Sequence, residues 1–163
     1  MKPSDVVAEP LAVTTAMTVA TAVSGSLATD PKSDWYRSLD LPPWQPRGWL
    51  FPVVWTALYA DIAATSASVI KDLRAQGEQR QAADFGTALA VNLALNQGWS
   101  WTFFKAHKLG SATIVAGLLA GSSIDLARRA GGAGRGKGVA LAPYAAWCGF
   151  ATLLTATIWR RNR

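Results

Sequence analysis

Residues Phe85–Phe104 read FGTALAVNLALNQGWSWTFF, twenty positions without one charged side chain. A helix of about 20 residues crosses the roughly 30 Å of hydrocarbon in a bilayer. A soluble helix of that length shows a polar stripe every third or fourth residue, and here no face carries charge. Gly138–Trp159 repeats the pattern. Working outward, Leu11–Thr29 is a third uncharged run, Leu109–Ile124 is a shorter one closed by Asp125, and Gly48–Ile70 is interrupted once, by Asp61. A run as short as Leu109–Ile124 is accommodated as a short or tilted span. The expected fold is all-α: an integral membrane bundle of five transmembrane helices, with spans at about 11–29, 48–70, 85–104, 109–124 and 138–159. Residues 11–159 then form a single domain between a polar N-terminal segment, 1–10, and a basic tail, 160–163.

Composition agrees. The 163 residues are half apolar and 16% charged, against about a quarter charged in soluble domains, and disorder needs the opposite balance. Mean hydropathy is only +0.16 because the runs are rich in Ala, Thr and Gly. A single Cys, Cys148, leaves no internal disulfide framework or cysteine-based zinc site. A single His, His107, argues against a histidine-rich metal centre or a Ser-His-Asp hydrolase, so no metal site is expected. The net charge of +6 would suit nucleic acid only if clustered on one soluble face. The basic residues instead edge the apolar runs, so no nucleic-acid partner is expected and membrane lipid is. The opening MKPSDVVAEP lacks the positive n-region of a secretory signal, so the first run reads as a retained span.

Between the runs, Lys71–Asp84 and Lys105–Lys108 read as polar turns and Asp125–Lys137 as a basic, glycine-rich loop. Asp30–Arg47, between helices 1 and 2, carries Trp35, Tyr36, Trp44 and four prolines. Proline blocks a continuous helix, and Trp and Tyr favour the membrane–water boundary, which predicts an ordered cap. Gly131–Gly138 matches a phosphate-binding loop, but Gly138 stands where Ser or Thr would hold magnesium and no strand precedes it. Nucleotide hydrolysis is therefore excluded. Lys and Arg divide eight against eight between the two sides, so the positive-inside rule does not set orientation. The closing Arg160-Arg161-Asn162-Arg163 favours a cytoplasmic C-terminus.

At 100° per residue, Asn92, Asn96, Trp99 and Phe103 share one arc of the third span. Trp55, Tyr59, Ile62 and Ser66 share one on the second, and Tyr144, Trp147, Ala151 and Thr155 one on the fifth. Such faces make helix contacts, with Asn as interhelical glue, or together wall a pocket for a flat apolar ligand. Asn in hydrocarbon needs a partner, so Asn92 and Asn96 pair across helices or face the ligand. Asp61, with no basic residue in another span, reads as a hydrogen-bonded structural group, with proton-coupled export of a small molecule as the alternative. Gly117–Gly121 is a G-x-x-x-G pattern permitting close helix approach. Cys148 reads as packing and His107 as solvated.

Trp35-Tyr36, Leu39, Pro42, Trp44, Pro46, Trp49, Phe51 and Val54-Trp55-Thr56-Ala57-Leu58-Tyr59, with Leu95-Asn96, Trp99-Ser100 and Phe103-Phe104, and Pro143-Tyr144, Trp147, Phe150-Ala151-Thr152 and Leu154, resemble the signature of the tryptophan-rich sensory protein/translocator protein (TspO) family. Leu41, Arg47, Ile62-Ala63 and Thr155 depart from it. The resemblance implies a bacterial member: a five-helix bundle, usually dimeric, in the cell membrane, needing no cofactor. Its implied ligands are porphyrins such as protoporphyrin IX and, in some members, isoquinoline or benzodiazepine-like drugs. The cholesterol motif of animal members is absent, since Tyr144 is followed by Ala, Ala, Trp, Cys and Gly. On this reading Tyr36, Trp44, Trp55, Tyr59, Asn92, Asn96, Trp99, Phe103, Tyr144, Trp147 and Ala151 contact the ligand between the second, third and fifth spans. Arg37, Arg47 or Lys105 would meet the porphyrin propionates. The roles open are tetrapyrrole transport, sensing or stress-linked regulation. Light-dependent porphyrin degradation is the enzymatic alternative, with Trp55 and Trp147 the implied catalytic pair.

Overall fold

The computed structural model describes residues 3–163, with side chains from Glu9 onward. It is helical throughout, with no strand among the described residues: α1 (Pro3–Ala28), α2 (Asp34–Ser38), α3 (Leu50–Ala75), α4 (Gln79–Ser100) running into a π-helical turn (Trp101–Lys105), α5 (Leu109–Ala133) and α6 (Arg135–Arg161). Glu9–Ala28, α3, α5 and α6 are long and apolar enough to cross a membrane. α4 has the length, at 22 residues, but Gln79, Arg80, Gln81 and Asp84 open it, and Asn92, Asn96 and Gln97 lower its hydropathy further.

Burial follows the expectation for a lipid-embedded bundle. Ile62, Val69, Leu89, Leu126 and Leu141 fill the centre with essentially no exposure. Val19, Val23, Leu27, Ile114, Leu118 and Leu153, all more than half exposed, point outward. An apolar outer surface of this extent costs free energy in water and none in lipid. Polar side chains are turned inward or back onto the helix: the hydroxyls of Thr18 and Thr21 lie 2.9 and 3.0 Å from the carbonyls four residues earlier.

Four boundaries differ from the sequence reading. Lys71–Asp84 is not a polar turn: α3 runs to Ala75 and α4 starts at Gln79, so only residues 76–78 connect them. Of the polar start, residues 3–10 belong to α1, which is helical from Pro3; residues 1 and 2 lie outside the described residues. The helix of the fourth apolar run continues past Ile124, with Asp125 accepting from Arg129 at 2.6 Å one turn on. The segment Asp125–Lys137 is therefore not a loop: α5 runs to Ala133, Gly134 alone makes the turn, and α6 starts at Arg135. Its glycines serve packing. A Cβ on Gly138 would lie 2.8 Å from the Gly131 Cα and 3.0 Å from the Ala127 carbonyl oxygen, so the α5–α6 hairpin closes only with hydrogen at that position. Gly121 of the G-x-x-x-G pattern meets nothing within 4 Å, and Gly117 only the Thr152 methyl at 3.9 Å. Lys137, the lysine of the apparent phosphate loop, pairs with Asp72 and donates to the Ser68 carbonyl at 3.0 Å, tying α6 to the end of α3.

Candidate functional site: an aromatic cavity under the α1–α3 connection

At the end of the bundle beneath residues 29–49 lies a cavity of about 420 Å³. Its walls come from five elements. Phe51, Trp55 and Tyr59 stand on α3 at i, i+4 and i+8, one face of the helix. Asn96 and Trp99 come from α4, Phe103 and Phe104 from the π turn, and Trp147, Ala151, Leu154 and Thr155 from α6. Ala22, Gly25 and Ser26 supply an α1 wall that the sequence reading, which used three spans, did not include.

The π turn explains why Phe103 and Phe104 both face inward. In an α-helix, Phe104 would sit about 140° away from Trp99, given 100° per residue. Here Ala106 N–H donates to the Trp101 carbonyl five residues back at 2.9 Å, which widens the turn and swings Phe104 to the same side. Trp99 lies 5.6 Å from Phe103 and 6.2 Å from Phe104 between ring centroids. On the opposite wall, Trp55 stacks on Tyr59 at 5.4 Å and meets Trp147 edge-on at 6.5 Å and 86°.

The floor is a chain of hydrogen bonds. Tyr59 OH donates to Asn96 Oδ1 at 2.9 Å, Asn96 Nδ2 to Tyr144 OH at 3.4 Å, and Tyr144 OH to Asn92 Oδ1 at 2.7 Å. Asn92 Nδ2 then lies 3.0 Å from Ser123 Oγ, whose hydroxyl in turn lies 3.4 Å from Cys148 Sγ. Each of these buried polar groups has a partner, which offsets the cost of burying Asn away from water. The chain links α3, α4, α5 and α6 and sets the bottom of the cavity.

This arrangement divides the predicted residues. Tyr36, Trp55, Tyr59, Asn96, Trp99, Phe103, Trp147 and Ala151 line the cavity. Asn92 and Tyr144 do not: both are fully buried beneath it, in the hydrogen-bond chain. Trp44 does not line it either. It is 45% exposed and packs edge-on against Phe150 at 6.1 Å, because the prolines around it carry the chain over the outside of α6. Arg37, Arg47 and Lys105 are exposed around this end. Among lining residues not anticipated, Phe51 stands one turn before Trp55 and was readable from the stripe. Phe104 was not, because an unbroken α-helical period points it elsewhere. Asp61 lies away from the cavity lining and accepts from Thr65 Oγ1, one turn on, at 2.8 Å.

The segment over the cavity is held from two sides. Trp35 stacks on His107 at 4.0 Å and meets Phe103 edge-on at 5.7 Å. Asp40 N–H donates to Asn162 Oδ1 at 2.8 Å, Asn162 Nδ2 returns to the Asp40 carbonyl at 3.1 Å, and Arg161 meets the Asp40 carboxylate at 2.6 Å. Inside the segment, Gln45 Nε2 donates to Tyr36 OH at 3.1 Å.

The chain that builds this Trp-walled cavity matches a known family across most of its length. Residues 12–160 fit the model of the TspO/MBR family. The chain belongs to that family. Its relatives include Protein CrtK of Rhodobacter capsulatus, 34% identical over 129 residues, covering 78% of each chain. The Tryptophan-rich protein TspO of Chlorobaculum tepidum is 33% identical over 163 residues, 93% of this chain and 95% of its own. The Translocator protein of Ovis aries is 32% identical over 79% of this chain and 75% of its own. Family membership together with the long apolar helices makes this TspO/MBR protein a multi-pass membrane protein.

Proposed function

We propose that the protein binds porphyrins of the protoporphyrin IX type within the membrane and acts in tetrapyrrole transport, sensing or stress-linked regulation. The observation that carries the reading is the cavity itself. It has about 420 Å³, within the range of small-molecule sites. Indole and phenyl rings from α3, α4, the π turn and α6 line it, with few polar groups among them. Flat conjugated ligands gain from offset or edge contacts with such rings beyond simple burial. In this reading five helices, α4 included, span the bacterial cell membrane, the C-terminus is cytoplasmic, and two copies associate. Isoquinoline or benzodiazepine-like compounds fit the same slot.

The test is a titration of the detergent-solubilised protein with protoporphyrin IX, following quenching of Trp fluorescence. Trp147→Ala removes an aromatic contact worth about 0.5–1.5 kcal/mol beyond its area, so its affinity falls about tenfold. Unchanged affinity in that variant would take the ligand out of this cavity.

One observation favours a chemical role as a second reading. Trp55 and Trp147 both line the cavity, with their rings 6.5 Å apart, so one bound macrocycle would touch two oxidisable indoles. Under illumination of the complex, Soret absorbance that bleaches in the wild type and persists in Trp55→Phe or Trp147→Phe, with binding retained, would establish it. Equal bleaching in all three would reduce it to ordinary photosensitised damage.

A further inference from the structure

We infer that the cavity is loaded sideways from the bilayer, through a window between the end of α1 and the start of α3, and that the window selects flat amphiphiles with an anionic edge. The proposal rests on the binding reading above.

The window follows from how α1 leans. Among the described residues, its polar contacts with α3 lie at its first half: Arg74 pairs with Glu9 at 3.3 Å, and Thr14 Oγ1 donates to the Ala63 carbonyl at 2.9 Å. Its polar contacts further along go to α4 and the π turn instead. Gln97 Nε2 donates to Thr21 Oγ1 at 3.2 Å and Trp101 Nε1 to Ser24 Oγ at 3.0 Å, while a Cβ on Gly25 would lie 3.5 Å from Ser100 Oγ. The helix thus crosses from α3 to α4 along its length, and the α1–α3 seam parts beside the cavity.

Exposure marks the same seam independently. Among all residues lining the cavity, the exposed ones are Ser26, Thr29, Pro31, Gly48 and Pro52, and every one belongs to the end of α1, the start of α3 or the chain just beside them. The linings from α4, α6 and the π turn are buried or half-buried. None of the five has a large side chain, so nothing bulky fills the gap. Above the cavity, the connecting segment is held in place by the Asp40–Arg161–Asn162 contacts and the Trp35–His107 stack.

The chemistry at the rim defines what passes. Lys32 follows Pro31 and Arg47 precedes Gly48; both are exposed, and neither forms an ion pair among the described residues. A planar ligand dissolved at the headgroup–acyl boundary would slide in edge-on between the small residues, its carboxylates held at the surface by these two cations.

The test uses Cys148→Ser protein in lipid vesicles with protoporphyrin IX as the probe. One form carries Ser26→Cys and Pro52→Cys, joined by a bifunctional thiol reagent, and a second carries Asp40→Cys and Asn162→Cys, joined as a disulfide. Joining the window pair before loading is expected to abolish uptake, and joining it after loading to trap the porphyrin. The lid pair should leave both processes at the unlinked rate. In the otherwise unaltered chain, Lys32→Gln with Arg47→Gln should slow loading of protoporphyrin IX while loading of its dimethyl ester keeps its rate. Exchange that continues through a joined window, or stops when the lid is joined, overturns the proposal and leaves the binding reading intact. Absence of quenching in the unlinked wild-type protein overturns both.

Discussion

The two ends of the bundle are built on opposite plans. At the α5–α6 turn the helices approach so closely that only glycine fits, with Gly138 against Gly131, and small side chains pack the seam solidly. At the other end, large rings replace small residues and leave a hollow. The same chain therefore uses tight backbone contact where it needs rigidity and bulky aromatics where it needs a void. Rings are suited to this because a few stiff planes, each fixed by two side-chain torsions, can prop helices apart without collapsing inward.

The sharpest way to break the contrast is to give the tight end a side chain. Gly138→Val would drive carbon into backbone atoms already at contact, so we expect a loss of about 1–3 kcal/mol from overpacking and a clearly lower thermal midpoint in detergent. Gly132→Ala lies near the end of α5 and meets nothing within 4 Å, and should not lower the midpoint. An equal loss at the two positions would mean that close approach is not what Gly138 serves, because helix propensity favours both replacements over glycine.

The next effect lies at the boundary between the plans, where the Tyr59–Asn96–Tyr144–Asn92 chain forms the cavity floor. Asn92→Leu leaves the Tyr144 hydroxyl proton without its acceptor, while Ser123 keeps its bond to the Leu119 carbonyl, and should cost about 1–2 kcal/mol although Asn92 does not line the cavity. Porphyrin affinity should fall through loosening of Tyr144 beneath Trp55, whose rings are 6.4 Å apart. The double variant Asn92→Leu, Tyr144→Phe should lose less than the two single losses combined, since each removes the other's partner. Strict additivity in thermal unfolding would dissolve the chain as a unit.

How much of this was legible depended on what kind of signal each feature leaves. The helices were visible because hydrocarbon imposes length and an absence of charge, which survive any detail of packing. Trp55, Tyr59, Trp99 and Trp147 were legible as cavity residues because α-helical periodicity held where they sit, and Phe103, though in the π turn, still falls on the expected side. Phe104 was lost to the π turn, whose wider pitch nothing in WSWTFF announces. Asn92 and Tyr144 share the right faces but lie too deep, and a one-dimensional stripe cannot tell the wall of a hollow from the floor below it. The glycines of 131–138 read as a flexible loop because composition alone cannot separate glycine used for freedom from glycine used for closeness. The α1 wall was missed because Ala22, Gly25 and Ser26 are too small to attract notice, although smallness is what leaves the seam open.

The smallest effect belongs to the contacts that hold the segment above the hollow. Arg161 and Asp40 are 39% and 60% exposed at their side chains, and solvent screens such pairs to well under about 1 kcal/mol. Arg161→Ala should therefore leave the unfolding midpoint within error. Asn162 is different in kind, because its amide bonds both the N–H and the carbonyl of Asp40 and so fixes backbone rather than charge. Asn162→Ala should free residues 38–42, raising their amide hydrogen exchange, while the exchange of α5 and α6 stays unchanged. If the tight end responds as well, the two plans are mechanically coupled through α6, and the hollow and the solid half would have to be treated as one body.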